Sequence, residues 1–267
     1  MQEHLELALA LADEADRMTM AGFRSLDLRV ETKPDLTPVT QVDRGVEEMV
    51  RARLGAARPA DAVLGEEFGA SGGGPVRWIL DPIDGTKNYV RGVPVFATLI
   101  GVERDGRLEV GVASAPALGR RWWAARGEGA LAGPTGPGRD ATGGATPIHV
   151  SEVARLGDAQ LCVGGLRTWR DSGLLDAFLE LSRRCWRSRG FGDFWMHMLV
   201  AEGSAEIAAE AEVSLWDLAA VSVIVEEAGG RFTDFEGRPR ADGGTAISTN
   251  GVLHDEALAA LARTPLG

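Results

Sequence analysis

The chain has few cysteines, no long apolar run and no basic leader, and each absence excludes a class of protein. Its two cysteines, Cys162 and Cys185, form no CxxC pair, so we expect reduced core thiols in a cytoplasmic protein rather than a disulfide framework. No stretch approaches the roughly 18 apolar residues that span a bilayer. Residues 1–20 contain no basic segment followed by an apolar run, which argues against a signal peptide.

Positive charge is also scarce. The formal net charge is −11 and the pI is about 4.9, whereas nucleic-acid and membrane-surface binders are normally basic. We therefore expect neither kind of partner. With 267 residues, of which 45% are hydrophobic, the chain is long enough for a large core, built as one domain or as two closely packed halves.

The pattern of elements divides the chain into two halves. Residues 1–145 predict two helices followed by a meander of strands, with a hairpin at Asp105–Gly106. Residues 146–267 predict strands alternating with helices, typical of a layered α/β arrangement. Between them, residues 133–145 are rich in Gly, Pro and Thr and predict a mobile surface loop or the seam between the halves. We expect one compact catalytic unit.

The most informative segment is an acidic turn. Asp81, Asp84, Gly85 and Thr86 follow the short apolar strand Trp78–Leu80. Two carboxylates so close together repel each other unless a cation lies between them. Gly85 permits a tight turn and exposes N–H groups that can hold an anion. A cation and a phosphate in one turn indicate the chemistry of a metal-dependent phosphatase.

Two further acids lie at the ends of predicted elements. Glu66 follows the strand before the acidic turn, and Asp217 begins a helix. Taken singly, Glu66 is explained as a solvated loop residue and Asp217 as a residue favourable at a helix N-terminus. Taken with Asp81 and Asp84, they supply the oxygen ligands that Mg²⁺ prefers. Such a site can hold two or more ions and needs no covalent nucleophile for an in-line displacement at phosphorus.

Three segments of the chain resemble the inositol monophosphatase superfamily. They are Trp78–Tyr89, Gly65–Glu67, and Trp216–Ala220 followed by Glu227–Gly230. They occur in that family's order and at compatible spacing, and the resemblance spans nearly the whole chain. It implies an α+β and α/β fold, a layered αβαβα sandwich of the inositol monophosphatase and fructose-1,6-bisphosphatase type. It also implies Mg²⁺, two to three ions per site, and by analogy a homodimer.

The resemblance implies roles for single residues. The implied metal ligands are Glu66, Asp81 as the bridging carboxylate, the backbone carbonyl of Ile83, and Asp84 and Asp217 at the second ion.

Other implied roles concern the phosphate and the attacking water. Asp84 and the N–H groups of Gly85 and Thr86 match the phosphate-binding positions, and the Thr86 hydroxyl matches the group that orients the water together with Glu66. Asp43 matches an acid near the metals. Two alternatives stay open: Asp43 can simply cap the helix that follows Thr40, and Thr86 can simply finish a turn.

The substrate is indicated by weaker signals. Residues 87–100 resemble the branch of histidinol phosphatases. That substrate carries an ammonium and an imidazole, which Asp193 and Glu210 can pair with and on which Trp195 can stack. Alternatively, Asp193 only caps a helix, Glu210 is a solvated strand end and Trp195 packs on the helix face. For His197 we expect a structural role.

The leading hypothesis is therefore Mg²⁺-dependent hydrolysis of a small phosphate monoester, L-histidinol phosphate. A second hypothesis keeps the chemistry and changes the substrate to inositol 1-phosphate or a sugar phosphate. A third, of a different class, is a non-catalytic module that senses phosphate on the same fold.

Overall fold

The computed structural model describes residues 1–34, 36–135 and 144–262. In these residues the α-helices are α1 (Gln2–Gly22), α2 (Gln41–Ala57), α3 (Thr86–Val90), α4 (Leu166–Asp171), α5 (Leu175–Arg184), α6 (Asp193–Ala201), α7 (Leu215–Glu227) and α8 (His254–Leu261). The strands are β1 (Val30–Thr32), β2 (Pro38–Thr40), β3 (Ala62–Gly65), β4 (Gly69–Ser71), β5 (Val76–Asp84), β6 (Ala97–Arg104), β7 (Arg107–Ala115), β8 (Arg120–Ala125), β9 (Ala130–Pro134), β10 (Thr146–Ile148), β11 (Gln160–Val163), β12 (Arg187–Arg189), β13 (Ile207–Glu210), β14 (Arg231–Thr233) and β15 (Ala246–Thr249).

The strands form two main sheets. The large sheet has eight strands in the order β10-β9-β8-β7-β6-β5-β3-β4, and the small sheet has five in the order β12-β11-β13-β15-β14. Most neighbours are antiparallel, but β3 runs parallel to β5, and β11 runs parallel to both β12 and β13. These parallel pairs matter because the carboxyl ends of parallel strands meet at one edge of a sheet, where ligands commonly bind.

Helices and sheets alternate in five layers. Helices α1 and α2 pack on one face of the large sheet, and α6 and α7 cover its other face. The small sheet lies over α6 and α7, and α4, α5 and α8 close its outer face. This order confirms the predicted αβαβα sandwich. Both cysteines are buried and unpaired, as predicted.

The structure differs from the sequence prediction in several places. Strand β5 continues through Asp84, so Asp81 and Asp84 lie within a strand rather than after it. Val30–Thr32 and Pro38–Thr40 form the strand pair β1–β2, which the sequence analysis did not predict. The short helices α3 and α4 were not predicted, because five or six residues are too few to display a helical period. Of the predicted loop 133–145, residues 136–143 lie outside the described residues.

No helix in the described part of the chain is long and apolar enough to cross a membrane.

Helix α7 approaches the large sheet so closely that two strand positions must be glycine. A Cβ on Gly111 would lie 2.2 Å from the backbone oxygen of Ala220, and one on Gly101 would lie 2.7 Å from the Cβ of Ala219. Backbone atoms cannot move aside as the tip of a side chain can. We therefore expect Gly111→Ala to lower the free energy of unfolding by about 1–3 kcal/mol, measured by urea denaturation.

Gly55 offers a matched control. It lies exposed in α2 with open space where a Cβ would be. Because alanine favours a helix, Gly55→Ala should raise the free energy of unfolding by about 0.5–1 kcal/mol. An unchanged urea midpoint for Gly111→Ala would contradict the close contact of α7 with the sheet.

Candidate active site

A bulge in β5 brings two aspartates to one side of the strand. Side chains of a regular strand alternate, so residues three positions apart point to opposite faces. The pairing with β6 runs from Asp81 opposite Leu99 to Asp84 opposite Ala97, which leaves one extra residue on β5. Pro82, which has no N–H to donate to the ladder, lies within this bulge. The extra residue brings both carboxylates to the same side of the strand.

Asp217 reaches these two carboxylates from the second half of the chain. It is the third residue of α7, and its Oδ2 accepts a hydrogen bond from the Ser214 N–H at 2.8 Å, closing a capping box. One carboxylate oxygen from each of Asp81, Asp84 and Asp217 lies within 4.8 Å of the others. Three hard oxygen donors at this separation are positioned to hold a metal ion.

Glu66 lies beside these three aspartates. It follows β3, which is parallel to β5, and its N–H donates to the Leu80 carbonyl at 3.2 Å. Glu66 is therefore next to Asp81 across the sheet. Its Oε1 is paired with Lys33, whose Nζ lies 2.7 Å away. In this conformation the Glu66 carboxylate lies at the edge of the cluster formed by the three aspartates, with the Lys33 ammonium beside it.

The turn that carries Glu66 is held by a buried acid. Glu47, on α2, is fully buried, and its carboxylate accepts hydrogen bonds from the Glu67 N–H at 2.8 Å and the Phe68 N–H at 3.2 Å. A Cβ on Gly65 would lie 2.1 Å from Glu47 Oε1, so any larger residue there would displace the Glu47 carboxylate from these hydrogen bonds. The sequence analysis did not identify Glu47, since one acid on a helix gives no signal of burial.

Lys33 is a second residue that the sequence analysis missed. Its ammonium contacts Glu66 Oε1 at 2.7 Å and Glu67 Oε1 at 2.5 Å. Burial works to lower the pKa of Lys33, but the hydrogen bonds to the two glutamates outweigh it and raise that pKa. A signal was available: lysine occurs only twice among the 28 basic residues, and the other lysine, Lys87, lies in the turn after Asp84.

Burial and mutual repulsion raise the pKa values of the clustered aspartates. Burial is the main cause for Asp81 and Asp84, whose pKa values lie well above the ordinary range, and the charges of neighbouring acids add to it. Burial also raises the pKa of Asp217 to about 7, again with repulsion from nearby glutamates. Such shifts are expected where carboxylates converge without a compensating cation.

The Thr86 hydroxyl links the acidic turn to α2. Its Oγ1 donates toward the Ile83 carbonyl at 2.9 Å and toward Asp43 Oδ1 at 3.2 Å. The other oxygen of Asp43 accepts from the N–H and hydroxyl of Thr40, which closes the capping box of α2. Asp43 thus caps its helix and contacts Thr86 at the same time. Gly85 has a φ of 83°, the left-handed turn that starts α3.

Asp193 faces the acidic turn. Its Oδ2 accepts a hydrogen bond from Asn88 Nδ2 at 2.8 Å and lies 3.4 Å from the position that a Cβ on Gly85 would take. Its backbone is left-handed, with a φ of 52°. Burial raises the pKa of Asp193 to about 6, and repulsion by the charge of Glu210 adds to this effect. The next N–H, that of Phe194, donates to Asp84 Oδ2 at 2.6 Å.

Glu210 and Trp195 border the same region. Glu210 ends β13, at the carboxyl edge of the parallel strands, and its Oε2 lies 3.1 Å from His197 Nε2. Trp195, in the first turn of α6, is partly buried, with its ring against Phe191 at a centroid distance of 5.1 Å. Glu210 therefore contacts the helix that Asp193 begins, whereas part of the Trp195 ring is used in packing.

Comparisons with known proteins show the family to which this chain belongs. The sequence model of the inositol monophosphatase family matches residues 1–265. A histidinol-phosphatase of Streptomyces coelicolor is 54% identical over 260 residues, which is 96% of each chain. A histidinol-phosphatase of Mycobacterium tuberculosis is 55% identical over 262 residues, 97% of this chain and 98% of the relative.

Solved structures share the fold. An IMPase of Thermotoga maritima superposes with a TM-score of 0.84 at 29% identity, covering 97% of this chain and 96% of that one. The extragenic suppressor protein SuhB of Bartonella henselae has a TM-score of 0.87 at 27% identity, covering 98% and 100%. This chain belongs to the inositol monophosphatase family. It is a phosphomonoesterase, so the alternative of a non-catalytic sensing module is not supported.

Proposed function

We propose that this phosphomonoesterase is a Mg²⁺-dependent histidinol phosphatase that converts L-histidinol phosphate and water to L-histidinol and phosphate, a step of histidine biosynthesis. The observation that carries the proposal is the pair Asp193 and Glu210. Asp193 begins α6, and its Oδ2 lies 3.4 Å from the position that a Cβ on Gly85 would take in the acidic turn. Glu210 contacts the same helix, with Oε2 3.1 Å from Nε2 of His197, one turn after Asp193. The relatives named histidinol-phosphatase at 54% and 55% identity support the same substrate.

The donor set fits Mg²⁺. Asp81, Asp84 and Asp217 converge as hard oxygen ligands with raised pKa values. Their pKa values are raised because the ionised carboxylates are buried close together, and a bound cation would compensate for that negative charge. Glu66 and the Ile83 carbonyl complete the proposed ligands, for two to three ions. Bound Mg²⁺ would neutralise phosphate and carboxylate charge and lower the pKa of a water molecule.

The remaining residues would position the substrate and the water. Asp84 and the N–H groups of Gly85 and Thr86 would hold the phosphate at the start of α3. The Thr86 hydroxyl, already oriented by its contact with Asp43, would orient the attacking water together with Glu66. For Glu66 to do so, the Lys33 ammonium must leave its present contact at 2.7 Å.

At the other end of the substrate, Asp193 and Glu210 would pair with the ammonium or the imidazole of histidinol. Such charge-assisted hydrogen bonds are short and directional. The exposed part of the Trp195 ring would pack on the imidazole. An inositol phosphate has hydroxyl groups at this end and gains less from two acids.

A substrate comparison tests the proposal. The parent protein with saturating Mg²⁺ should release phosphate from histidinol phosphate faster than from inositol 1-phosphate. Asp193→Asn keeps a residue that tolerates the left-handed backbone but removes one charge. We expect it to reduce kcat/KM about ten-fold or more for histidinol phosphate and less for inositol 1-phosphate. Efficient turnover of inositol 1-phosphate without turnover of histidinol phosphate would overturn the substrate assignment.

Three properties accompany this function as proposals. The protein acts in the cytoplasm, it forms a homodimer, and its two halves, residues 1–145 and 146–267, act as one catalytic unit. The last is supported by Asp217 and Asp193, which reach Asp81 and Asp84 from the other half of the chain. Size-exclusion chromatography with light scattering would test the dimer.

A further inference from the structure

A buried histidine connects the small sheet to the proposed substrate pocket. His197, on α6, is 1% exposed. Its Nδ1 lies 2.7 Å from the Ser248 hydroxyl on β15, and its Nε2 lies 3.1 Å from Oε2 of Glu210 on β13. These three side chains form a continuous hydrogen-bonded chain that ends on a carboxylate of the pocket.

The partners determine the direction of the hydrogen bonds. A carboxylate oxygen accepts hydrogen bonds, so the contact with Glu210 Oε2 selects the tautomer in which Nε2 of His197 donates. In that tautomer Nδ1 accepts a hydrogen bond from the Ser248 hydroxyl. All three side chains then have a hydrogen-bond partner, and each hydrogen bond is donated in the direction from Ser248 toward Glu210. The ring therefore holds Oε2 from the protein side.

The other oxygen of Glu210 is left for a ligand. Oε1 lies 3.6 Å from the position that a Cβ on Gly164 would take, and within residues 1–34, 36–135 and 144–262 no hydrogen bond to it is found. The Glu210 side chain is 18% exposed. Glu210 ends β13 and contacts α6 at His197, one turn after Asp193, whose Oδ2 adjoins the acidic turn.

A second buried histidine shows what a purely structural arrangement looks like. His254 is fully buried, and its two ring nitrogens each lie 3.0 Å from a threonine hydroxyl, those of Thr233 and Thr249. Neither partner is a carboxylate. His197 differs because one of its two partners is a carboxylate, that of Glu210.

We propose that His197 is a positioning residue that fixes Glu210, through the bond from Nε2 to Oε2, so that Oε1 points at the cationic end of the substrate. The inference rests on the proposed function for the nature of that end. A glutamate at a strand end has several rotamers, and holding one of them removes an ordering cost from substrate binding. His197 thereby contributes to recognition of the substrate, and the chemistry at phosphorus does not depend on it.

The test compares His197→Leu with His197→Gln. Leucine removes both hydrogen bonds, whereas the glutamine amide places a donor near the position of Nε2. We expect His197→Leu to raise KM for histidinol phosphate about ten-fold, with kcat changed less than three-fold or so, because a hydrogen bond to a charged group has this order of effect. His197→Gln should recover most of the affinity. With 4-nitrophenyl phosphate, which has no cationic end, KM should stay near that of the parent.

His254→Leu is the matched control, since it removes an equally buried histidine with two hydrogen bonds. It should lower the melting temperature in a similar way and leave KM for histidinol phosphate unchanged. If His197→Leu does not fold, Ser248→Ala and His197→Gln carry the test: Ser248→Ala should raise KM for histidinol phosphate more than it raises KM for 4-nitrophenyl phosphate.

Three results would overturn the proposal. They are an equal loss of kcat/KM on both substrates, an equal rise of KM in His254→Leu, and an unchanged KM in a folded His197→Leu. Failure of the proposed function can be distinguished from failure of the proposal for His197, because the parent protein itself would then not hydrolyse histidinol phosphate. In that case the same variants are measured with inositol 1-phosphate against 4-nitrophenyl phosphate.

Discussion

Replacing Asp84 by asparagine should abolish phosphatase activity while leaving the metal-free protein at least as stable as the parent. The carboxylate of Asp84 is buried among other acids, and its raised pKa shows that its charge is disfavoured in the folded state. Asparagine removes this charge and keeps an oxygen that can accept from the Phe194 N–H. Because a metal ligand is lost, we expect kcat to fall about 10³-fold or more.

The rate of phosphate release measures the effect on activity, and the melting temperature without metal measures the effect on stability. Asp105→Asn is the matched control: Asp105 is exposed in the β6–β7 hairpin, at the opposite end of β5 from Asp84, and asparagine tolerates its φ of 52°. The control should retain full activity. Activity of Asp84→Asn within ten-fold or so of the parent at saturating Mg²⁺ would exclude Asp84 as a ligand needed for catalysis.

The second large effect is stabilisation by Mg²⁺, which should grow with pH. Burial raises the pKa values of Asp193 and Asp217 from 3.8 to about 6 and about 7 in the folded protein. Between the unfolded and folded values the folded protein binds more protons, so the free energy of unfolding without metal falls as the pH rises through this range. At a pH above the folded pKa values, the carboxylates of Asp193 and Asp217 are ionised and are repelled by the neighbouring acids. A bound cation reduces this repulsion.

We therefore expect saturating Mg²⁺ to raise the melting temperature by about 5–10 °C near pH 8 and by much less near pH 5, where protons compete for the carboxylates. Scanning calorimetry with Mg²⁺, and with Na⁺ at equal ionic strength, measures this difference. Asp84→Asn should lose most of the gain. A gain of the same size at both pH values would contradict metal binding at these aspartates.

Asp81 and Asp84 could be selected as candidate metal ligands from the sequence because their signal is local. An apolar strand followed by two acids and a glycine places carboxylates at a strand end, whatever the rest of the chain does. The alternation of Trp122 and Trp123 was predictable for the same reason: Trp123 packs toward α1 and α2, and Trp122 toward α6 and α7. Strand geometry alone requires neighbours to face opposite sides.

The contacts of Glu66 were not predictable in the same way. Its salt bridge to Lys33 joins residues 33 positions apart, and the turn that carries it depends on Glu47, on a different element. The bulge at Pro82 was also missed, although it decides whether Asp81 and Asp84 share a face. A bulge depends on the register with a partner strand, and one strand's sequence does not specify that register.

By itself the sequence indicated the acidic turn through its turn residues, and the order of three motifs gave the resemblance to the family, which in turn implied the layered αβαβα fold. Turn residues and motifs are properties of neighbouring positions. Only the tertiary structure decided that Asp217 meets Asp81 and Asp84, and that His197, expected to be merely structural, contacts Glu210. Those contacts cross between α6, α7 and the two sheets. They depend on how closely glycine-bearing strands let the helices approach, which is a property of packing and not of any single segment.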